Sequence, residues 1–242
     1  MLGIGIGVPF LKGGGGGAPT SSVVTDGLIL YLDSAVPASY SGSGVDWFDL
    51  SSQGNDATLI NGVPFVSADG GYFDFDGVSD YAEVLGGIGS LTDAISFNAW
   101  IKPNGVAASQ VVLNYGLGSG ARNVYLLITS GNVFWGINNT AAGLIDTPIT
   151  DAQWVNVCGT YDRTLPSNPQ KLYVNGSLAA QGSYASSLNY NSPPQLRISR
   201  RVDGGSATSY AGDGSQYLVY NRALSAADVL QNFNSTKDRY GL

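Results

Sequence analysis

The sequence predicts an all-β protein made of many short strands, arranged as a two-sheet sandwich or a closed barrel. Three observations point to this class. Glycine is abundant, with 34 residues in a chain of 242. Charged residues make up only 12% of the chain, and alternating apolar runs are separated by turn signals at close spacing. A chain of this length can form one large β domain with a substantial core. Periodicity alone does not choose between sandwich and barrel.

The predicted strands follow one another from residue 23 onward. In strand 95–101, apolar residues beginning at Ile95 and Phe97 alternate with other residues, which predicts one buried face. Asn175 and Gly176 form the strongest two-residue hairpin signal in the chain. The predicted strands are 28–32, 47–50, 57–60, 73–75, 81–84, 95–101, 111–115, 124–129, 133–137, 154–161, 172–174, 196–199 and 216–220.

One helix is predicted, close to the C-terminal end of the sequence. Ser225 is placed to cap it, and Val229, Leu230 and Phe233 form one apolar face. We expect this helix to pack on the outside of the β structure.

The composition excludes several classes of function. The formal net charge is −7 and the longest basic run is Arg200 with Arg201, so a groove for nucleic acid is not expected, nor is binding to an anionic membrane. The chain has no histidine and one cysteine, Cys158, which excludes zinc sites of the Cys and His type and also Ser-His-Asp and Cys-His catalysis. No stretch reaches the length of a membrane span, and the N-terminus is a poor match to a signal peptide.

The chain divides into an N-terminal arm and linker at 1–22 and a single domain at 23–242. A run of five glycines, 13–17, separates the two parts. The arm is apolar, and its alternation with glycine would let it add to the edge of a sheet. We predict that it anchors the domain to a partner or to a symmetry mate; a disordered tail is the alternative. The anchoring residues are Leu2, Ile4, Ile6, Val8, Phe10 and Leu11.

Six segments resemble, in order, the laminin-G-like jelly rolls of the concanavalin A-like lectin/glucanase superfamily. They are DLSSQGNDATL at 49–59, FDGVSDYAEV at 75–84, ISFNAWIKP at 95–103, WVNVCGTYD at 154–162, LYVNG at 172–176 and YNRALS at 220–225. The resemblance covers residues 26 to 240 and implies an antiparallel two-sheet jelly-roll sandwich. Residues 229–242 and the glycine-rich arm are also similar to laminin-G-like proteins of tailed bacteriophages.

Catalysis is not expected. Hydrolysis of glycosides needs two facing carboxyl groups, and the glucanases of the superfamily carry two glutamates flanking an aspartate on one strand. Here Glu83 is the only glutamate. Asp74 and Asp76 share one strand face and could substitute in principle, but exposed turn residues are the simpler interpretation.

A structural calcium ion is a second candidate, because laminin-G-like sandwiches often hold Ca²⁺ at the loop rim. Calcium prefers several carboxylate, amide and carbonyl oxygens in a flexible loop. Asp74, Asp76 and Asp80 form the richest oxygen cluster, and Asp213 lies where a late acidic motif of the family begins. The alternative is that these aspartates form turns by bonding their own backbone.

Sugar binding is the third candidate chemistry. Lectin sites pair an exposed aromatic ring with nearby polar groups. The candidates are Trp135, Asn138, Asn139, Tyr115, Arg122 and Tyr210. Core packing is the alternative for Trp135. Trp47, Trp100 and Trp154 are predicted to be core residues.

The resemblance to laminin-G-like proteins of tailed bacteriophages, together with the apolar arm, implies a non-enzymatic bacteriophage virion protein. It would be a capsid decoration, head-fibre or tail-fibre component that displays a lectin-like sandwich through its arm. A carbohydrate-binding module for host-surface or extracellular glycans is the alternative, and a glycoside hydrolase the third reading. The expected partners are other virion proteins, symmetry mates in a homo-oligomer, and glycans. The expected location is the virion surface, with an extracellular location as the alternative.

Overall fold

A computed structural model describes residues 22–84, 86–116, 124–138, 140–188, 194–202 and 208–242. This part of the chain forms two antiparallel sheets and one short C-terminal α-helix, which confirms the predicted all-β jelly-roll sandwich. The arm at 1–22 lies outside the described residues except for Ser22. Within the described ranges, no helix has the length and apolar character needed to cross a membrane.

Sheet A has eight strands within the described ranges, and the strands are numbered in chain order. In spatial order they are β14 (Ser177–Gly182), β13 (Gln170–Val174), β12 (Val155–Asp162), β7 (Ala94–Pro103), β16 (Ala211–Tyr220), β5 (Tyr72–Asp76) and β4 (Phe65–Val66), with β1 (Leu28–Asp33) also paired to β16.

Sheet B also has eight strands in the described part of the chain. Their order is β11 (Leu144–Pro148), β10 (Asn132–Ile137), β9 (Val124–Thr129), β8 (Gln110–Gly116), β15 (Gln195–Ile198), β6 (Tyr81–Val84), β3 (Ala57–Ile60) and β2 (Asp46–Trp47).

The core lies between the two sheets and is formed by every second residue of each strand. Ile95 and Phe97 of β7 are fully buried there, as the alternation predicted. Trp135 of β10 lies at the centre of this layer, edge-to-face with Phe97 at 5.3 Å between ring centroids. Its indole Nε1 donates to the Thr160 carbonyl at 3.1 Å. A Cβ atom at Gly159 would approach the Trp135 ring to 2.2 Å, so the glycine leaves room for this tryptophan.

The second face of β7 is buried as well, although the alternation predicted only one buried face. The burial of Trp100, which lies on this second face, is as predicted, but the layer that covers it is not the core between the sheets. Trp100 on this outer face is 0% exposed. The reason is the C-terminal segment, because Trp100 stacks on Phe233 at 5.7 Å and on Tyr240 at 4.2 Å. Trp100 Nε1 also donates to the Thr236 hydroxyl at 2.8 Å.

Helix α1 (Ala226–Thr236) begins with the capping box that the sequence indicated. The Ser225 side chain accepts from the Asp228 amide, and the Asp228 carboxylate accepts from the Ser225 amide. Val229 faces the outer side of sheet A and is fully buried. Leu230 was predicted to belong to the same apolar face, but it is 46% exposed. The helix therefore covers the sheet with a narrower stripe than the sequence suggested.

The hairpin signal is confirmed at the turn between β13 and β14. Asn175 and Gly176 have φ values of 49° and 76°, the left-handed region that a type I′ turn requires at both central positions.

Candidate functional site

The aromatic residues predicted to bind sugar lie in the interior instead. Trp135, Tyr115 and Tyr210 are each 0% exposed. A ring that stacks on a sugar must present one face to solvent, so these three predictions are wrong. The Tyr115 hydroxyl donates to the Gly89 carbonyl, and the Tyr210 hydroxyl donates to the Asp213 carbonyl at 3.0 Å.

The polar residues predicted beside them have other surroundings. Asn138 fastens a loop, with its side-chain amide donating to the Ser187 carbonyl at 2.8 Å. Its φ of 54° is in the left-handed region, which asparagine tolerates better than most residues. Asn139 and Arg122 lie outside the described residues.

The four aspartates predicted to bind calcium fall into two separate arrangements. Asp76 and Asp80 close the turn after β5. Asp76 Oδ1 accepts from the Val78 and Ser79 amides at 2.7 and 2.9 Å, and Asp80 Oδ1 accepts from the Asp76 amide at 2.9 Å. This is the turn chemistry given above as the alternative. No group of three or more metal-ligating side chains comes together in the described ranges, so one shared four-aspartate site does not form there.

Burial determines the pKa of one carboxyl group of this turn, and hydrogen bonds determine the pKa of the other. Asp80 is 3% exposed. Burial, reinforced by the neighbouring Asp76 carboxylate, raises the pKa of Asp80 to about 7. Burial would also raise the pKa of Asp76, but hydrogen bonds from the Val78 and Ser79 amides outweigh it and lower that pKa. We therefore expect the carboxyl groups of Asp76 and Asp80 to share one proton near neutral pH.

Asp74 and Asp213 belong to an open cleft on the outer face of sheet A. Phe73 and Phe75 point into the core, so Asp74 between them points outward. In the strand register Asp213 of β16 lies opposite Asp74 on one side and Lys102 of β7 on the other. The cleft has a volume of about 260 Å³. Its lining residues are Asp74, Lys102, Pro103, Asn104, Ala152 and Asp213.

One ion pair crosses the floor of this cleft. Lys102 Nζ lies 3.2 Å from Asp213 Oδ2. Partial burial would lower the pKa of Lys102, but the hydrogen bond and charge of Asp213 outweigh it and raise that pKa. Burial also raises the pKa of Asp213 despite Lys102. The difference in burial accounts for these two pKa directions. Only 14% of the Asp213 side chain is exposed, so burial dominates its pKa, whereas 34% of the Lys102 side chain is exposed, so the charge of Asp213 dominates the pKa of Lys102.

Aromatic side chains lie next to the cleft. Val155 pairs with Ile101 in the strand register, so the preceding Trp154 lies next to Lys102 on the outer face of sheet A. Trp154, predicted to be a core residue, is partly exposed. Its Nε1 donates to Asp69 Oδ2 at 2.8 Å, and its ring lies 5.6 Å from Tyr72 and 4.6 Å from Tyr240. Trp154 also lines a second depression of about 120 Å³, together with Pro148, Ile149, Thr150, Gln153, Val155, Val174 and Asn175.

The strand pattern held a signal for Trp154 that the sequence interpretation missed. Val155 and Val157 face the core, so the preceding Trp154 belongs to the opposite face of β12. The same parity places Trp135 with Val133 and Ile137, which are core residues. Residue parity along the strand therefore distinguishes the two tryptophans, whereas residue type does not.

Glu83, the only glutamate, is engaged in an ion pair. Both of its carboxylate oxygens lie 3.3 Å from Arg197 Nη2, and both side chains are largely buried.

Comparison with known structures found jelly-roll domains of low sequence identity. Domain 4 of an extracellular arabinanase from Geobacillus stearothermophilus, solved with arabinotriose, matches with a TM-score of 0.61 and 13% identity, over 85% of this chain and 97% of that one. Trypanosoma rangeli sialidase matches with a TM-score of 0.65 and 18% identity, over 90% and 34%. A botulinum neurotoxin type C structure, whose cell entry depends on two ganglioside molecules, matches with a TM-score of 0.64 and 13% identity, over 87% and 51%.

This chain spans nearly all of the arabinanase domain, about a third of the sialidase and half of the toxin chain. The comparison with curated proteins found no match. The family model Laminin_G_3, described as "Concanavalin A-like lectin/glucanases superfamily", matches residues 76–230, which is more than half of the chain. The chain therefore belongs to the concanavalin A-like lectin/glucanases superfamily, and its sandwich is of the laminin-G type.

Proposed function

We propose that this protein is a non-enzymatic carbohydrate-binding module whose site is the cleft beside Trp154. One observation carries the proposal. The partly exposed indole of Trp154 lies next to Lys102 in the strand register, and Lys102 lines an open depression together with the carboxylates of Asp74 and Asp213. An aromatic ring with a few convergent polar groups is typical of small-ligand sites.

The two kinds of group would act differently on a sugar. The indole and the Tyr72 ring offer apolar surface for the C–H face of a pyranose or furanose ring. Hydroxyl groups both donate and accept hydrogen bonds, so Asp74 can accept from them and Lys102 can donate to them. The solved relatives fit this use, because one was obtained with arabinotriose and another depends on gangliosides.

The test is binding to a glycan array, followed by calorimetry with the best glycan and with arabinotriose as a fixed soluble probe. We expect Trp154→Ala and Asp213→Asn each to weaken binding about tenfold or more, or roughly 1.4 kcal/mol. Phe48→Ala and Asp46→Asn are matched controls, because Phe48 is 47% exposed and Asp46 is an exposed carboxylate of β2. These controls should keep full affinity.

Two results would count against the proposal. If no glycan binds, the function is wrong. If a glycan binds and the Trp154 and Asp213 variants keep wild-type affinity, the function stands but the site lies elsewhere.

The non-enzymatic part of the proposal rests on how the carboxylates are engaged. Glu83 is paired with Arg197, and Asp213 is paired with Lys102. A glycosidase needs one carboxyl group as proton donor and a second, ionised one, both free to reach the scissile bond. Incubating the bound glycan with the protein should give no shortened products, and chromatographic detection of such products would overturn this part.

We further propose that the module is displayed on a bacteriophage virion through its N-terminal arm. The support is in the sequence, in the apolar residues of 2–11, the glycine run 13–17 and the resemblance of 229–242 to phage proteins. Full-length protein and a version lacking residues 1–17 would be mixed with undecorated capsids and tails and sedimented. Only the full-length chain should co-sediment, and binding by neither version would contradict the virion role.

A further inference from the structure

The point where the arm joins the domain is fixed against helix α1. The Ser22 carbonyl accepts from the Gln231 side chain at 2.9 Å. The Val24 amide donates to Asn232 Oδ1 at 2.8 Å, and the Val24 carbonyl accepts from the Tyr220 hydroxyl at 3.0 Å. Ser22, the last residue of the arm and linker, therefore lies beside α1, on the outer side of sheet A.

An apolar patch lies next to this junction. We define it as Leu178, Leu230 and Phe233. Leu178 is 51% exposed and Leu230 is 46% exposed. The residues come together because the β13–β14 turn touches the helix, where a Cβ atom at Gly176 would lie 3.1 Å from the Phe233 ring and 3.2 Å from a Leu230 methyl group. In the strand register Leu178 lies opposite Tyr173, which is buried in the cluster that contains Val229 of α1.

The sequence supplies an occupant of matching chemistry. Exposure of large apolar side chains to water costs free energy. Residues 2–11 contain six of them: Leu2, Ile4, Ile6, Val8, Phe10 and Leu11. Between Leu11 and Ser22 lie ten residues rich in glycine. A segment of that length and composition spans roughly 15–20 Å, and Leu230 is the neighbour of Gln231, which holds Ser22.

We propose that residues 2–11 cover the patch of their own chain, so that the arm is latched on its own domain until a partner takes it. The same chain is favoured over a second copy because a short tether gives the arm an effective concentration in the millimolar range. Ordering the arm opposes its burial, so the latch is reversible. The proposal does not depend on the glycan site.

Disulfide trapping in the full-length protein tests the latch. Ile6→Cys is combined with Leu178→Cys, and in a matched control with Val78→Cys. Val78 is 64% exposed and follows β5, five strand positions from β14 in sheet A, or roughly 24 Å away. The native thiol of Cys158 does not interfere, because it is fully buried and burial raises its pKa.

We expect the Leu178 pair to close within one chain about tenfold faster than the Val78 pair. Adding Leu230→Asp should slow the Leu178 pair several-fold, whereas Val45→Asp, at an equally exposed position, should leave it unchanged. Equal rates for the two pairs would show that the arm does not prefer the patch. Disulfide-linked dimers as the main product would show that it binds another copy. Either result would overturn the proposal.

Discussion

The outer face of sheet A is sealed at one end and open at the other, although the same strands form both ends. Trp100 and Lys102 lie two residues apart on the same side of β7. Trp100 is 0% exposed beneath Phe233 and Tyr240, whereas 34% of the Lys102 side chain is exposed in the cleft. The C-terminal segment covers one half of the face, and the uncovered half contains the proposed glycan site. The following predictions test this division between a half that provides stability and a half that provides a site.

The largest expected effect is in the sealed half. Trp100→Ala should lower the free energy of unfolding by about 3–5 kcal/mol, because it removes a fully buried indole and leaves a cavity under α1. Trp154→Ala, in the open half, should cost only about 1–2 kcal/mol. Urea unfolding followed by circular dichroism measures both, and equal losses would contradict the division.

The next effect concerns a buried ion pair in the sealed half. Arg239 binds both oxygens of Asp33 at 2.8 and 3.1 Å, and Asp33 is 0% exposed. Arg239→Met should cost about 3 kcal/mol because it leaves a buried carboxylate without its counter-ion. The control is Arg163→Met, which breaks the exposed pair with Asp93 and should cost less than about 1 kcal/mol. Similar losses in the two variants would show that Asp33 does not depend on its partner.

A pH-dependent effect is expected at the turn after β5, beyond the cleft. The pKa of Asp80 is raised to about 7, so the folded state holds a proton that the unfolded chain releases near pH 4. The stabilisation is complete below pH 4 and is lost as the pH rises to 7. Asp80→Asn should therefore leave stability unchanged at pH 3.5 and raise it by about 1–3 kcal/mol at pH 8. Thermal melts at pH 3.5 and pH 8 measure this effect. The prediction is wrong if Asp80→Asn is no more stable than the wild-type protein at pH 8.

The smallest effect on stability is expected at Asp74. The residue is exposed and lines the cleft, so Asp74→Asn should change the unfolding free energy by less than about 0.5 kcal/mol. A larger change would mean that the open half also contributes to stability. Glycan affinity measured on the same variant separates a role in binding from a role in folding.

Much of the fold could be predicted from local patterns. Alternation fixed the inner face of β7, the Asn175 and Gly176 pair fixed one hairpin, and Ser225 fixed the start of α1, because each depends on neighbouring residues along the chain. The candidate site could not be predicted in this way. The parity of Trp154 relative to the core valines places it on an outer face, but Trp100 also lies on that outer face and is 0% exposed. Parity therefore does not show which outer-face residues stay accessible.

The aspartates show a second limit. The carboxylates of Asp76 and Asp80 can either bind calcium or accept hydrogen bonds from the backbone of a turn. The sequence therefore left both interpretations open. The structure shows that Asp76 accepts hydrogen bonds from backbone amides. A bound calcium ion remains a prediction, and addition of Ca²⁺ during the thermal melts would test it.

The sequence by itself determined the strand pattern, the family motifs, the capped helix and the absence of histidine, which excludes Ser-His-Asp and Cys-His catalysis. These properties depend on residue type and short-range order. Only the tertiary structure decided which outward-facing residues are covered. It placed α1 over Trp100, left Leu230 half exposed, and brought Asp74, Lys102 and Asp213 together from three strands far apart in the chain. Burial of an outer face depends on which segment packs against it, and the residue pattern within a strand does not indicate that segment.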